Sequence, residues 1–189
     1  MIFEALTCVI DDINEHFRNK LKINEDKIIL SGIVNQDGSL AVQGENKLLL
    51  TLVNVENDTT GASNGNNLSS KAIANISSGI NINLHVLFSA YFTSNNYPES
   101  LRFLSFIIAY FQNKNVFTRS NTPKMDNRIE KLIIKLENLE IERQNNVWTM
   151  LGAKYIPSVM YKMRMLTFDD SIVREYRPAI SNMSNNHHA

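Results

Sequence analysis

The sequence predicts a single α/β (α+β) domain that carries a long polar loop insertion. Residues 2–21 place apolar side chains at three- and four-residue spacing, which is the period of an amphipathic helix. Residues 80–92 alternate apolar and polar side chains, which is typical of a strand. Residues 57–79 are rich in Asn, Ser, Gly and Thr and follow neither period, so we expect a mobile loop. The predicted domain spans residues 1–180, followed by a frayed polar tail over residues 181–189.

The composition favours a folded protein in a reducing compartment. Hydrophobic residues make up 43% and charged residues 20% of the 189-residue chain, as in globular proteins. The 19 basic and 19 acidic residues give a formal net charge of zero, which disfavours a nucleic-acid binder. One cysteine, Cys8, excludes an internal disulfide and a cysteine-based zinc site. The chain start lacks a basic leader and the apolar runs are too short to span a bilayer, so a cytoplasmic protein without membrane contact is expected.

The segment after the first helix is predicted to be a β-meander with polar tips. Two apolar β-type runs, residues 27–34 and 47–55, flank a polar stretch. Asp37-Gly38 is the signature of a two-residue type I′ hairpin turn, because both central positions of that turn need a positive φ. Residues 44–46 turn the chain again. No catalytic pattern accompanies these turns, so the surface they form points towards assembly.

A second helix is predicted over residues 98–113. Asn96 and Glu99 stand at the spacing of a capping box, and Pro98 suits the first turn. The apolar surface of this segment is wide, which predicts that it is the central buried helix.

Later segments complete the predicted elements. Residues 128–141 fit both a helix and a strand, and the pattern slightly favours a helix. Residues 144–151 are predicted to form a short helix that ends at Gly152. Residues 159–168 are predicted to form a strand, and residues 172–177 could add a last short one.

The acidic face of the first helix is the densest cluster of ionisable groups. Asp12 and His16 stand four residues apart, as metal ligands on a helix can, but no second ligand pair is evident. A solvated helix face is therefore favoured, and an acidic dock for a basic partner is the intermediate hypothesis. Cys8 lies among these acids, which disfavour its thiolate form. The sequence thus assigns no catalytic residue, metal ligand or cofactor.

The other candidate groups also have structural explanations. His85 lies on the strand face opposite the apolar row, where a hydrogen-bonded residue is favoured over an acid or base. Trp148 is predicted to anchor the short helix in the core. The C-terminal strands are basic, through Lys162, Arg164, Arg174 and Arg177. Ordinary strand-face charge, or docking on an acidic neighbour, is favoured over nucleic-acid binding.

Five longer motifs are distributed along most of the chain. They are Asn35-Gln36-Asp37-Gly38-Ser39, Gln43-Gly44-Glu45-Asn46-Lys47, Asn96-Tyr97-Pro98-Glu99-Ser100-Leu101-Arg102-Phe103-Leu104, Trp148-x-x-Leu151-Gly152-Ala153-Lys154-Tyr155-x-Pro157-Ser158 and Arg174-Glu175-Tyr176-Arg177-Pro178. These motifs resemble the cap, or tail-terminator, family of phage-tail-like extracellular contractile injection systems, such as the antifeeding prophage and the virulence-cassette particles. The resemblance runs from residue 1 to about residue 180 and is closest to the version that has the N-terminal domain only.

The resemblance implies a mixed or mostly antiparallel sheet flanked by helices. It implies that residues 130–138 form a strand, followed by a helix over 142–151 and a strand over 158–168, which overrides the marginal helix assignment. It also implies a subunit that assembles as a six-fold ring at the particle end distal to the baseplate. Such a ring ends the inner tube and anchors the last sheath ring, after assembly in the cytoplasm.

We therefore expect a structural protein and not an enzyme. The implied partners are copies of itself, the inner tube protein and the sheath protein. The candidate assembly interface comprises residues of the turns and the basic strands, namely Gln36, Asp37, Gln43, Glu45, Asn46, Arg164, Arg174 and Arg177. Two alternatives remain open. One is a baseplate or effector-loading adaptor of the same particle, and the other is a small hydrolase or nucleotide-binding enzyme that uses Asp11, Asp12, Glu15 and His16.

Overall fold

The computed structural model of the chain describes residues 1–42, 44, 46–58 and 81–167. The elements in chain order are α1 Ile2–Leu21, β1 Ile28–Leu30, β2 Lys47–Asn57, β3 Ile82–Tyr91, a 3₁₀ helix Ser94–Asn96, α2 Tyr97–Asn113, β4 Val116–Thr118, β5 Ile129–Glu137, α3 Ile141–Met150 and β6 Ser158–Thr167. The predicted loop beyond Asp58, the predicted strand 172–177 and the tail 181–189 lie outside the described residues.

The six strands form one sheet in the order β1-β2-β3-β6-β5-β4. β1 runs parallel to β2, and the other neighbouring pairs are antiparallel. This arrangement confirms the expected fold, a mixed and mostly antiparallel sheet flanked by helices. The outer strands β1 and β4 have three residues each, whereas β2 has 11 and β5 has nine. Each outer strand therefore covers only part of its neighbour.

Helices lie on both faces of the sheet and divide the interior into two cores. α1 and α2 pack on the first face, against alternate residues of β3 such as Leu84, Val86 and Phe88. α3 and the segment 33–42 pack on the second face, around Leu49 and Leu87. The alternation predicted for residues 80–92 is confirmed, although both faces of β3 are covered because the sheet lies between these layers.

One buried amide joins α1 to the outer edge of the sheet. Asn14 is 4% exposed, in line with the apolar residues of its helix face. Its Nδ2 donates to the Ile28 carbonyl at 2.9 Å, and its Oδ1 accepts from the Ile28 backbone nitrogen at 3.0 Å. An amide side chain supplies both a donor and an acceptor, so Asn14 replaces a neighbouring strand at this position of β1.

The β-meander prediction is wrong. β1 and β2 are parallel neighbours, so the chain between them is a crossover connection, of which residues 33–42 pack on the second face. Within this connection the Asn35 backbone nitrogen donates to the Ser39 carbonyl at 2.7 Å, and the Gly38 nitrogen donates to the Asn35 carbonyl at 3.0 Å. Gly38 has a φ of 80°, whereas Asp37 is not among the described residues with a positive φ. A three-residue loop with glycine in the left-handed region therefore replaces the predicted type I′ turn.

Three further predictions differ from the structure in instructive ways. Residues 129–137 form a strand, as the resemblance implied and the pattern alone did not. Asn96 precedes α2 but makes no side-chain cap hydrogen bond, so the predicted capping box is absent there. α2 buries one face only, with Leu101 43% exposed, because it packs on the outside of the sheet instead of between layers.

Candidate assembly surface

Residues 34–40 form a short hairpin, closed by an antiparallel bridge between Val34 and Leu40, and its tip is exposed, as expected for a contact surface. Gln36 and Asp37 both lie at this tip. The Asp37 carboxylate accepts hydrogen bonds from the Ser39 hydroxyl at 2.6 Å and the Ser39 backbone nitrogen at 2.9 Å. These bonds lower the pKa of Asp37. Asp37 therefore shapes the loop, whereas Gln36 is presented to solvent.

Asn46 is engaged inside the chain. Its backbone has a φ of 62°, which asparagine tolerates better than most residues. Its Oδ1 accepts from the Thr93 backbone nitrogen at 3.3 Å and from Asn96 Nδ2 at 3.1 Å. Asn46 thus fixes the start of β2 to the turn before α2. Its side chain has a structural role that the sequence did not indicate.

Arg164 also has an internal partner. Its guanidinium is paired with the Asp58 carboxylate, whose side chain is 2% exposed. Arg164 lies opposite Asn83, which lies opposite Glu56 near the end of β2. Glu56 lies nine residue steps from Lys47 at the start of β2, or roughly 30 Å along the strand.

The predicted interface residues are therefore not gathered in one patch. Asn46 and Arg164 lie towards opposite ends of the strands. The remaining predicted positions, Gln43, Glu45, Arg174 and Arg177, lie outside the described residues.

A row of charged residues crosses the second face of the sheet. His85 lies at its centre, between two carboxylates from different strands. The His85 Nδ1 is 2.7 Å from Glu137 Oε2, and its Nε2 is 3.0 Å from Glu56 Oε2. The Lys162 Nζ lies 3.8 Å from the same Glu56 oxygen. This row links β2, β3, β5 and β6 through charge.

The two carboxylates control the protonation of His85. Burial disfavours the imidazolium, but the hydrogen bonds and charges of Glu56 and Glu137 outweigh it and raise the pKa of His85. The contact with His85 lowers the pKa of Glu56 in turn. The prediction of a hydrogen-bonded histidine at this position is confirmed. Neither partner is predictable from the sequence pattern, because each lies far from His85 along the chain.

Of the acidic face of α1, Asp11 and Glu15 are exposed, as a solvated face predicts, whereas Asp12 takes part in the packing. The Asp12 carboxylate accepts a hydrogen bond from the Tyr110 hydroxyl and one from Lys114 Nζ at 2.8 Å. Burial, and then the bond to Asp12, raise the pKa of Tyr110. Cys8 is buried, and burial followed by the charges of Asp12 and Asp11 raises its pKa. Within the described residues, no group of three or more His, Cys, Asp or Glu side chains is placed to hold a metal ion.

A groove lies between α3 and the sheet, and no sequence pattern predicted it. Its volume is about 320 Å³. Seven of its eleven lining residues are apolar, and the full set is Leu87, Leu136, Glu137, Asn138, Leu139, Gln144, Val147, Trp148, Ser158, Val159 and Met160. Trp148 is 4% exposed, and its Nε1 has no hydrogen-bond partner among the described residues. We refer to this concavity as the α3 groove.

On both sides of the sheet, parts of β2 and β5 have no strand partner among the described residues. β1 pairs with residues 48–50 of β2, and β2 continues past it to Asn57. On the other side, β4 and β5 end their pairing at Val116 and Ile133, and the Ile134 nitrogen donates to the Asn115 carbonyl at 2.8 Å. Backbone groups of alternate residues point to opposite edges of a strand, so Leu136 directs its N–H and C=O to the edge beyond β4. We call these the β2 edge (residues 52–57) and the β5 edge (residues 135–137).

Comparisons with known proteins agree with this architecture. A family model of the Pvc16 N-terminal domain matches residues 7–182. The fold resembles the sheath/tube terminator of the PVC extracellular contractile injection system in its extended state, with a TM-score of 0.59 and 12% identity over 100% of this chain and 64% of that one. It also resembles the tube-terminating cap of the anti-feeding prophage, with a TM-score of 0.54 and 14% identity over 95% of this chain and 60% of that one.

The chain spans about three fifths of the length of these two solved structures, 64% and 60% respectively. No curated protein sequence matches the chain. None of the helices described in the structure has the length and apolar character needed to cross a bilayer.

Proposed function

The chain belongs to the family of the Pvc16 N-terminal domain, and on this basis we propose that it is a structural cap, or tail-terminator, subunit of a contractile injection system. In this role its copies form a ring that ends the inner tube and anchors the last sheath ring. The ring stands at the end of the particle distal to the baseplate, after assembly in the cytoplasm. The proposal includes no catalytic step, cofactor or nucleic acid.

The shared fold supports the proposal. Two solved terminators of such particles align with 95% or more of this chain at TM-scores of 0.59 and 0.54. The fold alone does not carry function. The family match over residues 7–182 adds a sequence relationship that the low structural identities of 12% and 14% do not supply.

The observation that carries the proposal is the incomplete outer rim of the sheet. β1 and β4 are three residues long, so no other described strand pairs with the β2 edge or the β5 edge, which lie on opposite sides of the sheet. The two edges differ in length and in side chains. A subunit with two different contact sides suits a heterologous, head-to-tail ring, and closure at six copies is the number we propose.

The same rim offers a way to hold a second protein. A strand from a sheath or tube subunit can add to an uncovered edge by main-chain hydrogen bonds. Near the β2 edge lie Glu56, His85 and Lys162, whose charges supply the specificity that backbone pairing lacks. A contact of this kind uses the surface described above and needs no reactive group.

Electron microscopy of particles assembled with and without this protein tests the proposal. We expect particles that lack it to have tubes and sheaths of uncontrolled length, or sheaths that detach from the distal end. Particles of unchanged, controlled length with normal ends would contradict the cap function. Crosslinking of the tagged protein to the baseplate instead of the distal end would favour the adaptor alternative.

A further inference from the structure

The second face of the sheet carries a basic and partly apolar surface at β4, β5 and β6. Successive side chains of a strand point to opposite faces, and the members of the first core on these strands include Phe117, Leu132, Ile134, Met163 and Met165. The residues that alternate with them therefore point to the second face, and none of these is fully buried. We call this surface the basic face, and it comprises Val116, Lys131, Ile133, Lys135, Lys162 and Leu166.

The positive charge of the basic face is not balanced within the described part of the chain. Lys131 and Lys135 form no ion pair with any residue that the structure describes. Lys162 stands directly opposite Lys135 in the sheet, and its pair with Glu56 is loose, at 3.8 Å. Like charges that stand directly opposite each other on neighbouring strands destabilise a sheet. An acidic partner would relieve this repulsion.

Apolar side chains lie among these cations. Val116 and Ile133 stand opposite each other on β4 and β5, and Leu166 stands opposite Lys131. Within the described residues, none of the three belongs to either of the two cores or packs against them. Apolar residues at the centre of a patch with a polar rim are the usual anatomy of a protein interface. The basic face therefore suits a protein partner better than a small anion.

A matching acidic surface lies on the other side of the sheet. Asp11 and Glu15 are exposed on the side of α1 opposite to the buried Val9 and Ile13, and neither forms an ion pair with a described residue. Four residues of helix place them about 6 Å apart along α1. The Cα atoms of Lys135 and Lys162, as direct neighbours on two strands, are roughly 5 Å apart. Each carboxylate can therefore face one ammonium group.

The two surfaces cannot meet within one subunit. α1 packs on the first face of the sheet, whereas the basic face belongs to the second. Contact between them requires two copies, and each copy then keeps one unused surface of each kind at its two sides. This is the condition for a head-to-tail ring.

We propose that the basic face of one copy docks on the outer side of α1 of the next copy, with its lysines facing Asp11 and Glu15. The proposal rests on the cap function, because the ring is the assembly in which the copies meet. It goes further in naming the two surfaces and the ionic character of their contact. Lys135 also belongs to the β5 edge, so the contact is continuous with that part of the rim. A nucleic-acid backbone fits less well, because the carboxylates of Glu56 and Glu137 lie on the same face.

Charge reversal in the full chain tests the contact. Lys131→Glu with Lys135→Glu reverses the basic face and leaves the described ion pairs intact, and Asp11→Lys with Glu15→Lys reverses α1. We expect each double variant to lower incorporation into particles about tenfold or more, because like charges then meet in every contact of the ring. The variant with all four changes restores opposite charges, so its incorporation should return to within about twofold of the native level.

A matched control and a neutral series separate the contact from general effects of charge. Arg143→Glu with Lys154→Glu makes the same change in net charge at two exposed cations outside the basic face, and it should be incorporated like the native protein. Each variant is first checked for an unchanged melting temperature. If a reversal lowers it, Lys131→Gln with Lys135→Gln and Asp11→Asn with Glu15→Gln take its place. In that double-mutant cycle the second neutralisation should cost little once the first is present.

Carbodiimide crosslinking of native particles identifies the partner, because it joins a lysine directly to a carboxylate that touches it. We expect a covalent dimer of this chain in which Lys131, Lys135 or Lys162 is linked to Asp11 or Glu15. Links from these lysines to carboxylates of the tube or sheath protein would overturn a second copy as the occupant. Salt-sensitive retention on DNA that is lost in Lys131→Glu with Lys135→Glu would overturn it in favour of nucleic acid.

The remaining outcomes separate this contact from the cap function. Exclusion of the variant with all four changes, or equal exclusion of the Arg143 and Lys154 control, would overturn the contact. Electron microscopy of the same particles decides the cap function independently. Normal distal ends that contain the reversed variants would remove the contact and leave the cap standing. Ends that do not depend on this protein would remove the cap function whatever the crosslinks show.

Discussion

His85 and Glu137 meet across an intervening strand, with 2.7 Å between His85 Nδ1 and Glu137 Oε2. His85 belongs to β3 and Glu137 to β5, and β6 lies between these strands in the sheet. Glu56 of β2 approaches the other ring nitrogen at 3.0 Å. One imidazole therefore connects three strands on the second face, and its charge state has a consequence for stability.

The stability that His85 contributes should depend on pH. The pKa of His85 is raised in the folded chain, so its contribution is complete below the ordinary histidine pKa of about 6.5 and is lost as the pH rises through the higher folded-state pKa. We expect the difference in urea midpoint between the native protein and His85→Gln to shrink as the pH rises from about 5.5 to about 8.5. A difference in urea midpoint that stays constant or widens would refute the charged contact between His85 and its two carboxylates.

His16 is the matched control, because its pKa moves in the opposite direction. Burial, and then the charge of Lys20, lower the pKa of His16. Protonation therefore favours the unfolded chain, and the native protein should gain stability relative to His16→Gln as the pH rises through the same range.

Loss of Asn14 should cost more stability than its helix position suggests. Asn14→Leu leaves the Ile28 N–H and C=O without their partners at the outer edge of β1. We expect the free energy of unfolding to fall by about 2–3 kcal/mol, as for buried backbone groups that lose their hydrogen bonds. Urea denaturation measures the free energy of unfolding of this variant and of the native protein. Asn145→Leu, at an exposed site of α3, should change the free energy by less than about 0.5 kcal/mol, and equal effects at both sites would contradict the prediction.

Substitution of Arg164 should change mainly the stability of the folded chain and not assembly. Its partner Asp58 is almost fully buried, whereas the Arg164 side chain is 34% exposed. Arg164→Met should lower the free energy of unfolding by about 1–3 kcal/mol, because the buried Asp58 carboxylate then loses the positive charge that is paired with it. Lys162→Met removes a looser and more exposed pair, with 3.8 Å between Nζ and Glu56 Oε2, and should cost less than about 0.5 kcal/mol. Similar losses for both variants in thermal denaturation would refute this distinction.

The hairpin tip allows its structural and contact roles to be separated. Gly38→Ala should cost about 1–2 kcal/mol, because Gly38 has a φ of 80° while nothing lies within 4 Å of an added Cβ. Gly32→Ala, which has no positive φ, should be nearly neutral. Gln36→Ala should leave the melting temperature unchanged but reduce incorporation into particles if the tip is a contact surface. Normal incorporation of Gln36→Ala would assign the hairpin to chain reversal only.

The sequence predicted elements well where one periodicity dominated. Residues 2–21 and 80–92 each follow a single period over many residues, and both assignments hold. Residues 128–141 fit two periods, because apolar residues such as Ile129 and Leu132 satisfy both. Pairing with β6 on one side and β4 on the other selects the strand, and that information is not local.

The sequence patterns predicted neither the direction of neighbouring strands nor contacts between residues far apart in the chain. An alternating run specifies which side chains share a face, but it does not specify whether its neighbour runs parallel, so β1 and β2 were assigned as part of a meander. The same limit applies to the candidate surface. The side chains of Asn46 and Arg164 were predicted to be available for assembly contacts, because their partners within the chain, Asn96 and Asp58, lie 50 and 106 residues away. The α3 groove has no sequence signature, since its walls come from segments separated by tens of residues.

The position of β6 links the fold to the way the protein is made. β6 begins at Ser158 but lies in the middle of the sheet, with β3 on one side and β5 on the other. A nascent chain that has not yet emerged beyond this point holds two separate pieces of sheet, each with an unpaired inner edge. Long-range pairing of this kind slows folding, and domains generally fold as units. We therefore expect the subunit to become competent for assembly only after synthesis of nearly the whole domain, which would keep incomplete chains out of a growing particle.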